Sequence, residues 1–255
     1  MYNSTQDTLI IGKKVIYLPT CHSTNDIAAE IVHAGLFEEG TVVITDNQVK
    51  GRGQRGTVWN ANAGENLTFS IILKPAFLRI QDQFLISQIT ALGIRAYLGS
   101  YVPDTKVKWP NDVYMNNQKA VGVLIENSLQ GVRYAHSIVG IGVNINQSQF
   151  ENSYATSLRR ETGSSFVLAE EFHKLLKCLD VYYVRLRSGN QHDAIRAEYL
   201  GHLYGYQQHV KFLYKGDITS GSVTNVTELG KLRVKLATEP EELEFGLKEI
   251  EWVRD

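Results

Sequence analysis

A chain of 255 residues with 43% apolar residues can bury a sizeable core, in one large domain or two modest ones. Its net charge of -1 excludes a protein whose main task is to coat nucleic acid, which would carry a basic excess. Cys21 and Cys178 lie far apart without metal-ligand spacing, and neither a signal region nor a membrane-length apolar run is present, so a soluble cytoplasmic protein without a disulfide framework is expected.

The first helix is expected from Ser23. Ser23 and Asp26 form a capping pattern, Ile27, Ile31 and Val32 make one apolar face, and Gly35 supplies a stop. Thr41 to Thr45 and Asn66 to Leu73 read as strands on either side of a polar loop. A second helix runs near Gln83 to Tyr97, with Leu85, Ile89 and Leu92 on one face. Short strands follow at Lys106 to Trp109, Val113 to Met115, Ala120 to Ile125 and Tyr134 to Asn144. A long amphipathic helix covers Phe166 to Arg187 and ends at Gly189. Beyond about Gln207 the helical period stops, and short strands alternate with turns at Gly216, Gly221 and Gly230. This pattern predicts a large α/β domain over 1-206 and a small β-barrel over 207-255.

The polar loop holds Gly51-Arg52-Gly53-Gln54-Arg55-Gly56, followed by Trp59. Bare backbone N–H groups and two arginines suit phosphate or carboxylate oxygens. The run also fits the dinucleotide pattern GxGxxG, but that pattern needs a helix after it, and here a strand follows. Alone, the loop fits a mobile surface segment with solvated arginines equally well. Lys108-Trp109-Pro110-Asn111-Asp112 brings a cation, an amide and a carboxylate to a strand end. Alone, it fits a strand end with solvated charges and a buried tryptophan. Lys119 follows a tight turn, and Gly140-Ile141-Gly142-Val143-Asn144 places two glycines inside an apolar strand. Such glycines mark either a bulge or the close approach of a backbone or ligand. No Ser-His-Asp set, zinc-ligand pair or P-loop ending is found. Cations without a nucleophile suit electrostatic catalysis at phosphorus.

Four motifs occur in an order that resembles the biotin protein ligases: the glycine-arginine loop with Trp59, Lys108 to Asp112, Lys119-Ala120-Val121-Gly122, and Gly140 to Asn144. Ser23-Thr24-Asn25, Gln48 and Ala155-Thr156-Ser157-Leu158 support the resemblance, which covers essentially the whole chain. It implies an α+β fold: a central mixed sheet with flanking helices, like that of class II aminoacyl-tRNA synthetases and lipoate ligases, with an SH3-like C-terminal domain. It also implies a two-step reaction. Biotin's carboxylate attacks the α-phosphate of ATP, and a lysine of a biotin carboxyl carrier domain then attacks the biotinyl-adenylate.

A carboxylate is ionised at neutral pH, so the first step needs no general base. It needs two anions brought together, and Lys119, Arg52 and Mg2+ fit that need. The resemblance places biotin among Ser23, Thr24, Asn25 and Gln48, with Gly51, Arg52, Lys119, Gly122 and Gly142. It places ATP or the adenylate at Gly53, Gln54, Arg55 and Trp59, with Asn144 on the adenine edge and Lys108 and Asn111 near the phosphates. Asp112 is the candidate to take the acceptor amine's proton. Metal ligands are left unassigned.

Many family members have arginine where this chain has Gln54 and Thr57, which predicts a weaker hold on the intermediate. Only about twenty residues precede Ser23, too few for a helix-turn-helix, so a monofunctional ligase without specific DNA binding is expected, as monomer or homodimer. Two other readings remain. A lipoate ligase shares the fold, but its usual arginine-arginine loop is missing. A non-catalytic biotin- or carrier-binding module would have no need of both Lys108 and Lys119.

Overall fold

The structure is a computed structural model that describes residues 2-131, 133-151 and 153-253, and the elements below are those of the described residues. The chain opens with a strand that the periodicity does not predict, β1 (Val15–Cys21). Its residues are only partly buried and it contains Pro19, features of an edge strand with a weak apolar signal. Helix α1 (Thr24–His33) connects it to β2 (Thr41–Gln48), which runs parallel to β1. This is a βαβ unit. The capping expectation is only half met. Ser23 stands at the N-cap with extended backbone, but its side chain makes no cap bond. Asp26 is drawn away to Arg52 instead.

Strand β3 (Leu67–Leu73) follows, then helix α2 (Phe84–Gly99). Strands β4 (Thr105–Lys108), β5 (Asp112–Met115), β6 (Gln118–Gln130) and β7 (Arg133–Val143) come next. Helices α3 (Leu158–Thr162), α4 (Leu168–Arg187) and α5 (His192–Gly201) complete this part. The seven strands form one mixed sheet in the order β1-β2-β3-β7-β6-β5-β4. Strands β8 (Val210–Tyr214), β9 (Asp217–Val226), β10 (Leu232–Leu236), β11 (Glu242–Phe245) and β12 (Glu251–Trp252) form a separate antiparallel sheet, ordered β11-β10-β9-β8-β12. The α+β class expected from the sequence is the one observed.

The period-2 alternation of strands gives the large sheet two different faces. From β2 and β3, Val42, Ile44, Leu67, Phe69, Ile71 and Leu73 join the main core with residues of α2 and α4. The opposite face carries Val43, Ile72 and Ile138, which pack on Ala28 of α1. Helix α1 covers only that end. Further along the same face, Thr68 stands beside Gly142 and Gly142 beside Gly122, across three neighbouring strands. No large side chain rises from this row, so the sheet has a shallow floor there.

Two polar anchors fix the surroundings. Asp180 of α4 is buried and accepts backbone N–H bonds from Leu9, Ile10 and Ile11 at 2.6, 2.8 and 2.8 Å, which holds the N-terminal segment on the helix. Trp109 Nε1 donates to Gly230 O at 2.8 Å, which ties the end of β4 to the small sheet. Cys21 and Cys178 are free thiols, each pushed up in pKa by burial. Among the described residues no helix is long and apolar enough to cross a membrane.

Candidate active site

The glycine row floors a cavity of about 750 Å³, within the about 300–1,000 Å³ usual for small-molecule sites. Its roof is Trp59. The loop reaches over the sheet because it folds back on itself: Trp59 N donates to Gly51 O at 3.1 Å and Gly53 N to Thr57 O at 2.7 Å. The indole then lies against two strands. A Cβ on Gly142 would stand 2.3 Å from Trp59 Cε2, and one on Gly122 would stand 2.8 Å from Cε3. The close approach predicted for the glycine strand is therefore made by this ring.

One end of the cavity is a polar corner. Gln48 Oε1 accepts from Thr24 N at 2.8 Å. Ser70 Oγ lies 2.7 Å from Thr24 Oγ1 and 2.6 Å from Asn25 Oδ1. Asn25 Nδ2 donates to Glu126 Oε2 at 2.7 Å. Ser23, Thr24 and Asn25 are all buried at the start of α1, where the chain turns from β1 onto the sheet face. Ser70 and Glu126 are not among the residues expected from the sequence. The alternation of Thr68 and Ser70 with Leu67, Phe69 and Ile71 is the signal that could have found Ser70.

Arg52 and Lys119 flank the floor, and both are paired. Arg52 meets Asp26 at 2.6 Å and Glu126 at 3.2 Å. Lys119 Nζ donates to Asp112 Oδ2 at 2.5 Å. The backbone of Lys119 is braced on the segment after β7, with Lys119 N donating to Tyr154 O and Thr156 N to Lys119 O. The same segment holds Asn144, whose Nδ2 donates to Thr156 O at 2.9 Å. Among the described residues, Asn144 Oδ1 and Trp59 Nε1 are buried without a partner. A bound group with both a donor and an acceptor would satisfy them.

Lys108 and Asn111 stand outside the main cavity. The Lys108 ammonium lies 5.2 Å from the Tyr114 ring and 5.3 Å from the Trp252 ring, against two aromatic faces. Asn111 lines a second, smaller cavity between the two sheets. Gln54, which borders both cavities, donates to Asn111 Oδ1 at 2.9 Å and to Val123 O at 3.1 Å. The neutral amide fastens the loop to the sheet. The side chain of Arg55 lies outside the described residues. Gly51 and Gly53 line the main cavity with Arg52.

Comparison with known proteins agrees with this geometry. The model of the biotin/lipoate A/B protein ligase family matches residues 17–144. The bifunctional ligase/repressor BirA of Bacillus spizizenii is 33% identical over 184 residues, 69% of this chain and 55% of that protein. The biotin--[acetyl-CoA-carboxylase] ligase of Paracoccus denitrificans is 35% identical over 108 residues, 40% of this chain and 43% of that protein. The chain thus spans about half the length of the curated relatives it matches. The biotin protein ligase from Aquifex aeolicus, solved in complex with biotin and ATP, superposes with a TM-score of 0.76 at 26% identity, covering 95% of this chain and 100% of that one.

Proposed function

The chain belongs to the biotin/lipoate A/B protein ligase family, and from that premise we propose that it attaches biotin to a lysine of a biotin carboxyl carrier domain through biotinyl-adenylate. The observation that carries the reading is one cavity with a polar corner, a flat floor under an indole, and cations at its flank. The polar corner of Ser23, Thr24, Asn25 and Gln48 offers donors and acceptors to a ureido ring, with Ser70 bracing Thr24 and Asn25 from behind. The Trp59 ring, which itself lies on the glycine floor, can stack with a flat ring system, and Asn144 Oδ1 suits an amino group on such a ring's edge.

In the first half-reaction a carboxylate oxygen of biotin bonds to the α-phosphorus, and the bond to pyrophosphate breaks. Arg52 and Lys119 neutralise the anions that must meet. Asp112 holds Lys119 in place. In the second half-reaction the carrier amine attacks the acyl carbonyl, AMP leaves, and Asp112 receives the amine's proton. Lys108 acts from a distance, by joining β4 to the small sheet through Trp252.

Among the described residues no three His, Cys, Asp or Glu side chains gather as a metal site. Mg2+ would be carried mainly by the nucleotide's phosphate oxygens, with Asp112 as a cavity carboxylate able to share it, and would neutralise phosphate charge. The division into 1-206 and 207-255 is proposed on the change of sheet. A cytoplasmic location is proposed on the two free thiols.

The test is incubation with ATP, biotin and a carrier domain, followed by mass spectrometry of the carrier. Biotin-dependent pyrophosphate release and one biotinyl group on one lysine are expected. Release that depends on lipoate instead would transfer the reading to lipoate ligation. Release with neither acid would overturn the assignment as a ligase.

A further inference from the structure

Glu126 does not line the main cavity, yet it holds two residues that do. It belongs to β6, opposite Ile138 of β7. Its Oε2 accepts from Asn25 Nδ2 at 2.7 Å, and its two oxygens each meet the Arg52 guanidinium at 3.2 Å. A carboxylate so paired offers acceptors only, so it fixes which way round the Asn25 amide stands. The amide nitrogen faces Glu126. The Leu124 carbonyl lies on the same side at 3.4 Å, too long to hold the amide by itself. The amide oxygen therefore faces Ser70, at 2.6 Å. Gly140 of β7, opposite Ser70, leaves room for it: a Cβ there would stand 2.3 Å from Asn25 Oδ1.

That orientation passes through the corner one proton at a time. A hydroxyl donates a single proton, and Ser70 Oγ lies within reach of both Asn25 Oδ1 and Thr24 Oγ1. An amide oxygen cannot donate, so the Ser70 proton goes to Asn25. Thr24 must then supply the proton of its own 2.7 Å bond with Ser70. The other protein partner of Thr24 Oγ1 is Gln48 Oε1 at 3.3 Å, which accepts from Thr24 N and so is an acceptor as well. With either partner the Thr24 proton is held by the protein, and only lone pairs of Oγ1 are left for a ligand. Thr24, Asn25 and Ser70 are all buried, which keeps bulk water from resetting this order.

We propose that Glu126 is a positioning residue for ligand choice: it sets the polarity of the corner so that Thr24 presents an acceptor to a ring N–H. The inference rests on the reading of the site as a biotin-adenylating centre. A ureido ring carries two N–H donors and meets that acceptor. The dithiolane ring of lipoate has no donor and would leave Thr24 Oγ1 unpaired, which a buried polar site penalises. Glu126 acts without touching the ligand, through Asn25, Ser70 and Thr24.

The experiment compares the parent with Glu126→Gln, the double variant Asn25→Asp/Glu126→Gln, and Asp26→Asn, all in the full chain. The ligands are biotin, biotin methylated on one or the other ureido nitrogen, and lipoate. Binding is measured by calorimetry and adenylation by pyrophosphate release. In Glu126→Gln the new amide can donate as well as accept, so Asn25 can turn and the order through Ser70 and Thr24 is lost. Roughly tenfold weaker biotin binding is expected, the cost of one hydrogen bond, with lipoate little affected. The affinity gap between biotin and the form methylated at the nitrogen facing Thr24 should narrow by the same factor. The double variant places the carboxylate at position 25, where it again accepts from both neighbours, and should recover most of the loss. Asp26→Asn removes the other carboxylate on Arg52 and should leave the gap as in the parent. Equal biotin affinity in Glu126→Gln and the parent would overturn the proposal. So would an equal loss for biotin and both methylated forms, no recovery in the double variant, or a narrowed gap in Asp26→Asn, which would assign the effect to Arg52. A protein that shows the expected binding pattern but releases no pyrophosphate with biotin would refute the ligase reading instead.

Discussion

Trp59 and the glycines beneath it depend on each other. Gly142 is legible in the sequence as a bulge or a place where something comes close, but nothing local says that the visitor is an indole more than eighty residues away in the chain. The contact is testable. Gly142→Ala puts a methyl 2.3 Å from the Trp59 ring, and overpacking of this kind costs about 1–3 kcal/mol. The ring must move, so adenylate formation is expected to fall at least about tenfold, as when a packed site is displaced by about 1 Å. In a Trp59→Ala background the same substitution should cost little stability, and urea denaturation of the four proteins measures the coupling. An unchanged cost in that background would show that the methyl clashes with something else. Arg52 gives the same lesson. Its residue type and glycine setting point to an anion site, yet its partners Asp26 and Glu126 come from α1 and β6.

At the scale of elements, the long periodic segments were the readable ones: α2, α4 and the strands β2, β3, β6 and β7. Period and burial agree there because each element shows a wide apolar face to one core. β1, α3 and α5 give weaker signals. β1 is a partly buried edge strand, α3 is five residues long, and α5 buries little besides Ile195 and Tyr199. Helices α2 and α4 are also joined by a buried polar contact that periodicity does not reveal. Burial alone would raise the pKa of Glu171, but hydrogen bonds from Lys174, Tyr97 and Tyr101 outweigh it and hold the carboxyl below its ordinary value. A depressed folded-state value means that this stability is complete above the ordinary carboxylate range and is lost as pH falls through the depressed value. Glu171→Gln should therefore be less stable at neutral pH, by about 1–3 kcal/mol, and lose less on acidification than the parent. Denaturation at neutral pH and near about pH 3 checks both parts.

For the whole molecule, the decisive contact is between the sheets. Gly230, at φ 86°, brings its carbonyl to Trp109 Nε1 and its backbone against Phe84, where a Cβ would stand 2.4 Å from the ring. Gly230→Ala is strained in conformation and in space, and it strikes the seam directly. Its unfolding is expected to separate into two steps, with the C-terminal tryptophan environment lost first, as read by fluorescence against circular dichroism. A single transition at the parent midpoint would show that the seam tolerates the methyl. This seam also brings Lys248, in the turn between β11 and β12, to the cavity. The long helices and central strands, the fold class, the glycine-arginine loop and the two lysine motifs were determined by the sequence itself. Glycine, proline and apolar period act over a few residues, so they can be read in place. Which side chains meet was decided only by the tertiary structure: Trp59 over the glycine row, Arg52 between two acids, Lys108 between two rings and Lys248 beside the site. Those meetings depend on strand register and on the docking of two sheets, which join residues far apart in the chain.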